Sequence, residues 1–313
     1  MTASKKKTEI YLITGFLGAG KTTFLKDRLT ASGLRTGVLI NDFGKINYDG
    51  LQIKKSGLEM VELSNGSIFC SCLKDNFVDG LVHLIELGLD EIYIESSGLA
   101  DPSEMGKILS LVSRKAIGSF RFRGTICLVD SLFFLEVLPK MLSVERQITH
   151  SHLIIINKCD LTDQAQLLKI RAKIAKLNAK AKIVEASFGK IDWSAIHFDV
   201  FEIADEATTN KIETRNKSLV LHLIEEPEAD NFQSFLDTLG SHFFRVKGFV
   251  DFSSQVQKVD LVNRQVRVEP AAGKLDRSNI NQLVCLTSQG LESISYLAKM
   301  ANNYIPGAFR LEM

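Results

Sequence analysis

The stretch Thr8–Thr23, TEIYLITGFLGAGKTT, decides the fold. Within it, Gly15-Phe16-Leu17-Gly18-Ala19-Gly20-Lys21-Thr22 has the phosphate-loop spacing G-x-x-x-x-G-K-[ST] at every fixed position. The flanks agree with that reading. Thr8–Thr14 is apolar and β-branched, as a buried parallel strand requires. From Thr22 onward the pattern is helical. A strand, a glycine-rich turn and a helix start together form an anion site, because backbone N–H groups and the helix dipole favour negative charge there. Gly15, Gly18, Ala19, Gly20, Lys21, Thr22 and Thr23 are therefore expected to line a triphosphate site. Lys21 would reach the β- and γ-phosphates, and the Thr22 hydroxyl would ligate magnesium.

Working outward, strand-like runs recur at Thr36–Asn41, Glu91–Glu95, Thr125–Val129, Leu153–Asn157 and Lys182–Ala186. Helical patterns lie between several of them, notably Asn76–Glu86 and Asp163–Leu177. That alternation predicts an α/β fold, a phosphate-loop NTPase with a mostly parallel sheet over residues 1–205. The polar, aperiodic residues 206–217 read as a linker. Beyond them the order changes. Strands are expected at Leu219–Ile224, Phe244–Phe252, Val266–Glu269 and Gln282–Thr287, with helices at Asn231–His242 and Gly290–Asn302. Residues 218–313 are thus expected to form a smaller α+β domain.

Three further motifs follow predicted strands, where ligands bind in parallel sheets. Glu95 ends the run Ile92-Tyr93-Ile94 and would hold the magnesium shell; Gly98, three residues on, would bring its backbone to the γ-phosphate. Asn157-Lys158-Cys159-Asp160 reads N-K-x-D. The Asp160 carboxylate can accept the ring N–H and exocyclic amine of guanine, a donor pair that adenine lacks, so GTP is favoured over ATP. Asn157 would tie the motif to the phosphate loop, Lys158 would cover the base, and a backbone N–H near Ser187 would meet the guanine carbonyl. Asp42, after the second strand, either ligates a metal, positions water or caps a turn. Cys70-Ser71-Cys72 either offers two thiolates to a soft metal such as zinc or contributes two ordinary thiols. Cys127 and Cys285 fall inside apolar strand patterns and read as core residues.

The bulk numbers narrow the class. The formal charge of +1 gives no reason to expect nucleic-acid binding. Five cysteines without framework spacing, no secretory-type leader and no long apolar span point to a cytoplasmic protein with no membrane association.

Taken together and in order, GFLGAGKTT, NDFGKI, the Asn-Gly…Cys segment, ESSGLADP and NKCDL resemble the CobW family of GTPases, itself similar to the nickel-handling maturation GTPases. FRVKGFVDF and NQLVCLT are similar to that family's small second domain, so the resemblance covers about residues 8–302. It implies a GTPase domain followed by an α+β domain. It also implies GTP and magnesium as ligands, zinc, cobalt or another transition metal as cargo, and a client metalloenzyme or cofactor-maturation protein as partner. Carried over by position, Lys21 and Thr22 serve phosphate and magnesium, Glu95 the magnesium shell, and Asn157, Lys158 and Asp160 the base. Lys21, Glu95 and Asp42 are the candidates for catalysis, Asp42 standing where the family usually has glutamate. The family's metal motif usually reads C-x-C-C after Asn-Gly; here Ser67 and Phe69 occupy its first two cysteine positions and only Cys70 matches. Either Cys70, Cys72 and Asp42 form a modified transition-metal site, or the protein is a nucleotide-gated switch without one. No glutamine stands after Gly98 to orient water. Slow hydrolysis, stimulated by a partner or by homodimer formation, is therefore expected.

Overall fold

A computed structural model describes residues 7–31, 33–41, 58–63, 74–203, 205–206, 209, 217–252, 255–271, 279–287, 291–306 and 309–312. Asp42, Cys70 and Cys72 lie outside the described residues. The chain divides into two compact units, the boundary falling between Lys211 and Ile212.

The first unit is built on seven strands: β1 (Thr8–Thr14), β2 (Thr36–Asn41), β3 (Glu59–Leu63), β4 (Glu91–Glu95), β5 (Phe120–Asp130), β6 (Leu153–Asn157) and β7 (Lys182–Glu185). Their order is β3-β2-β4-β1-β5-β6-β7, and every neighbouring pair is parallel. Helices α1 (Lys21–Ala31), α2 (Lys74–Glu86), α3 (Met105–Lys115), α4 (Phe134–Val137), α5 (Leu142–Thr149) and α6 (Gln164–Leu177) connect them.

Alternation within each strand feeds two cores at once. Ile10 and Leu12 of β1 face Phe77, Leu81, Ile108 and Val112 of α2 and α3. Tyr11 and Ile13 face Phe24, Leu25 and Leu29 of α1. With both faces covered, the strands need apolar residues at nearly every position, which is why they read as continuous runs. β1 lies between β4 and β5, and its loop therefore emerges beside the ends of both.

Several elements of the first unit differ from the expectation, the short helices α4 and α5 among the additions. β3 is an additional edge strand whose short sequence, EMVEL, mixes charged and apolar residues. α3 is an additional amphipathic helix. β5 begins at Phe120 rather than Thr125. Its register against β1 skips Arg123 and resumes at Gly124, whose φ is +111°. A bulge with a glycine in it hides the first half of the strand from a pattern reading.

The second unit is a six-stranded sheet in the order β11-β10-β9-β12-β8-β13, wholly antiparallel. Its strands are β8 (Lys217–Leu223), β9 (Arg245–Phe252), β10 (Gln255–Val262), β11 (Gln265–Pro270), β12 (Gln282–Thr287) and β13 (Phe309–Glu312). Helices α7 (Ala229–Leu239) and α8 (Leu291–Tyr304) pack Phe232, Phe235, Leu236 and Leu297 onto Leu221, Val246, Val250 and Leu283. β10 and β13 go beyond the four strands expected. In β10 only Val259 and Leu261 are fully buried, and Lys258 and Asp260 alternate with them. The β10–β11 turn, Asn263-Arg264, has φ of +49° and +67°, the left-handed pair that a tight hairpin needs.

Candidate functional site

The loop after β1 is held tight by its glycines. Gly15 has φ +133°, and a Cβ there would stand 2.2 Å from the Leu128 carbonyl oxygen of β5. Gly20 has φ +99°, and a Cβ there would stand 2.4 Å from Asn157 Nδ2 at the end of β6. Two later strands thus press on the loop, and only glycine admits them. α1 begins at Lys21, so its first N–H groups have no intrahelical acceptor, the helix-start arrangement that suits an anion. Lys21 is buried and donates from Nζ to the carbonyls of Gly15 at 2.8 Å and Phe16 at 3.1 Å. Its ammonium therefore lies across the loop. Ala19 N–H closes the turn onto Phe16 O at 3.2 Å. Gly18 has φ +75°, and Thr23 is exposed one position past Thr22.

Thr22 Oγ1 donates to Glu95 Oε1 at 2.7 Å, across 73 residues of sequence. Parallel pairing aligns Ile13 with Glu95, which sets this carboxylate level with the loop. A hydroxyl and a carboxylate are hard oxygen donors and fit magnesium, which takes oxygen ligands and keeps several waters. Gly98 is packed against the loop: a Cβ on it would lie 2.7 Å from Leu17 N. The turn Ser97–Ala100 is closed by Ala100 N–H on Ser97 O at 3.0 Å.

At the other end of the site, Asn157 is buried and uses both ends of its amide. Nδ2 donates to Ala19 O at 2.9 Å, and Oδ1 accepts from Gly189 N–H at 2.9 Å. The first bond ties the end of β6 to the phosphate loop; the second ties it to the turn after β7. In that turn Phe188 and Gly189 have φ of +56° and +69°, and Ser187 O accepts from Lys190 N–H at 3.1 Å. Lys158 has φ +63°. Asp160 follows it, exposed, on the single turn Cys159–Leu161.

Two residues beyond the expected set hold the site together. Asp130, at the end of β5, is paired in register with Asn157 and accepts from Lys158 Nζ at 2.7 Å. It has the same signal as Glu95, a carboxylate ending an apolar strand, but lies one residue past the expected end at Val129. Its other oxygen, Oδ1, accepts Leu132 N–H at 2.9 Å. The second is Gln147 of α5, which bonds the Gly98 turn from 49 residues away and carries no local motif.

Cys127, Cys285 and His152 are structural. Burial pushes the Cys127 thiol up to about 12 and the Cys285 thiol higher still, so both are inert core residues. His152 accepts Thr125 N–H on Nδ1 at 2.9 Å and has Nε2 3.0 Å from Phe201 O, and its burial lowers its pKa. That commits it as a neutral tether. Among the described residues no group of three or more His, Cys, Asp or Glu side chains could hold a metal ion. No helix among them is long and apolar enough to cross a membrane.

Residues 9–185 match the family model described as the CobW/HypB/UreG nucleotide-binding domain. Residues 217–300 match the cobalamin synthesis protein cobW C-terminal domain. The chain is 31% identical to a zinc chaperone CobW from Sinorhizobium sp, over 76% of this chain and 75% of that protein. It is 31% identical to the zinc chaperone YjiA of Escherichia coli K12, over 58% of each chain. It is 30% identical to the zinc-regulated GTPase metalloprotein activator 1 of Schizosaccharomyces pombe, over 64% of this chain and 51% of that protein.

Proposed function

The chain belongs to the CobW/HypB/UreG family and is a phosphate-loop GTPase, and on that premise we propose that its nucleotide state controls delivery of a transition metal to a client protein. The relatives' names favour zinc as cargo, with cobalt the alternative. The observation that carries the nucleotide half is Asn157, which joins the β6 end, the phosphate loop and the turn after β7 through two bonds of 2.9 Å. In this reading Asp160 accepts the guanine N–H donors, Lys158 covers the base and the Ser187 turn closes its far edge. Lys21 exchanges the Gly15 and Phe16 carbonyls for phosphate oxygens. Thr22 and Glu95 supply oxygen donors for magnesium, which when bound neutralises charge on the phosphates. Gly98 presents its backbone to the γ-phosphate. Asp42, Cys70 and Cys72 are assigned to cargo, and hydrolysis is slow until a partner or second copy completes the site.

A second reading is favoured by Ser67 and Phe69, which stand where the family usually has cysteines. In it the nucleotide orders a docking surface for a client, and the protein carries no metal of its own. Calorimetric titration of zinc and cobalt(II) into the reduced protein separates the two. It is run with and without magnesium and a non-hydrolysable GTP analogue. Delivery predicts one-to-one binding that changes with nucleotide and is lost in the Cys70→Ser/Cys72→Ser double variant. Equal heats in protein and variant would remove the cargo site and leave the switch.

A further inference from the structure

α5 brings one buried polar side chain to the nucleotide site. Gln147 is 1% exposed. Its neighbours Val144 and Ile148 are buried and apolar, so packing alone would be served by an apolar residue at this position. Gln147 instead donates from Nε2 to Gly98 O at 3.2 Å and to Ala100 O at 2.9 Å. Both partners are carbonyls and can only accept, which fixes the orientation of the amide. Its Oε1 is buried with no hydrogen-bond partner among the described residues. A buried amide that spends both donors on one turn and leaves its acceptor unmet is costly by itself. The arrangement is explained by what it does to the turn.

That turn is the stretch Ser97–Ala100, closed internally by Ala100 N–H on Ser97 O at 3.0 Å and Leu99 N–H on Ser97 Oγ at 3.3 Å. Both bonds hold the turn to itself. Gln147 holds it to the body of the domain. Gly98, with no side chain, has the widest backbone freedom of any residue unless its peptide is pinned. It must also keep its backbone within reach of the loop, where a Cβ would already stand 2.7 Å from Leu17 N.

We infer that Gln147 is a positioning residue for the phosphate-sensing turn: by holding the Gly98 and Ala100 carbonyls it fixes the turn in which the Gly98 N–H is set to meet the γ-phosphate of bound GTP. This rests on the GTPase reading of the site. GDP has no γ-phosphate, so the contribution falls on the triphosphate alone. Removing the donors therefore lowers affinity for the GTP analogue while GDP, held by the loop and the base motif, is unaffected. A merely structural role would weaken both nucleotides alike.

The test is the ratio of Kd values for a non-hydrolysable GTP analogue and for GDP, each with magnesium, in the parent protein, Gln147→Met and Gln147→Glu. Methionine keeps the bulk and removes the donors; glutamate presents an acceptor to two acceptors. The expected result is about tenfold weaker analogue binding, equivalent to the loss of one buried hydrogen bond, with GDP affinity within about twofold. Equal weakening of both nucleotides, or an unchanged ratio, overturns the inference. Hydrogen exchange on the parent protein provides an arm that needs no variant. Amides 97–100 should slow with the GTP analogue and not with GDP. Indifference of that segment to the γ-phosphate overturns the inference even where both variants fail to fold. A parent protein that binds neither nucleotide would instead overturn the GTPase reading on which it rests.

Discussion

The two ends of the nucleotide site are held by different kinds of bonds. At the base end, the amide of Asn157 and the Lys158–Asp130 pair join the ends of β5 and β6, the phosphate loop and the turn after β7. None of those bonds involves an atom that the proposed guanine contacts need. At the phosphate end, Lys21 is bonded to the loop's own carbonyls, and Thr22 to Glu95. In the proposed complex these groups must change partner. The base end is thus preformed, and the phosphate end is poised to exchange. In the proposed complex, affinity for guanine would come from the first and sensitivity to the number of phosphates from the second, because only exchangeable bonds can differ between nucleotide states.

The sharpest way to break this comparison is Lys21→Ala. If the ammonium exchanges loop carbonyls for phosphate oxygens, its loss removes charge-assisted bonds from the complex and little from the empty protein. We expect GTP-analogue affinity to fall at least about 100-fold. Stability without nucleotide should stay within about 1 kcal/mol, because burying an ammonium against carbonyls returns little net free energy. Fluorescent-nucleotide titration and chemical denaturation measure the two. A large loss of stability would show that Lys21 is a structural staple and that the phosphate end is as preformed as the base end.

Much of this contrast is legible in the sequence, and what is missing has a physical reason. The parallel strands are buried on both faces, so their composition announces them, and the groups at their ends follow by position. Thr22, Glu95, Asn157 and Gly98 come together as their spacing suggests. The residues that position them are less visible. Asp130 lies one residue past the apolar run that ends at Val129, where a charged residue reads as outside the strand, and the bulge at Gly124 separately hides the strand's first half. Gln147 acts from the middle of a helix, where a polar residue ordinarily reads as solvent-facing. In the second unit, strands with one covered face dilute the apolar signal, and β10, with two fully buried side chains, was read through. Local pattern reports burial on both sides well, and it reports contacts made across about 50 residues of sequence poorly.

Asn157→Ala probes the preformed end. It deletes two buried hydrogen bonds and leaves Ala19 O and Gly189 N–H without their partner. The expected cost to the empty protein is about 2–4 kcal/mol. Nucleotide affinity should fall about tenfold and equally for GDP and the GTP analogue, since the joint serves the base pocket rather than the γ-phosphate. A change confined to the triphosphate would erase the distinction between the two ends.

The smallest effect separates position from attraction within the base end. Lys158 is about one-fifth exposed and its charge is balanced by Asp130, 5% exposed, at 2.7 Å. Asp130→Asn keeps Oδ1 for the Leu132 N–H and the length of the side chain, but removes the charge that holds the lysine stem. Lys158 then samples other rotamers and must be ordered when the base arrives. A partly solvated pair is worth less than about 1 kcal/mol, so guanine nucleotides should bind about threefold more weakly. The deficit should shrink as salt is raised, because screening already weakens the pair in the parent protein. A deficit that does not change with salt would place Asp130 in direct hydrogen-bond contact with the nucleotide rather than behind Lys158.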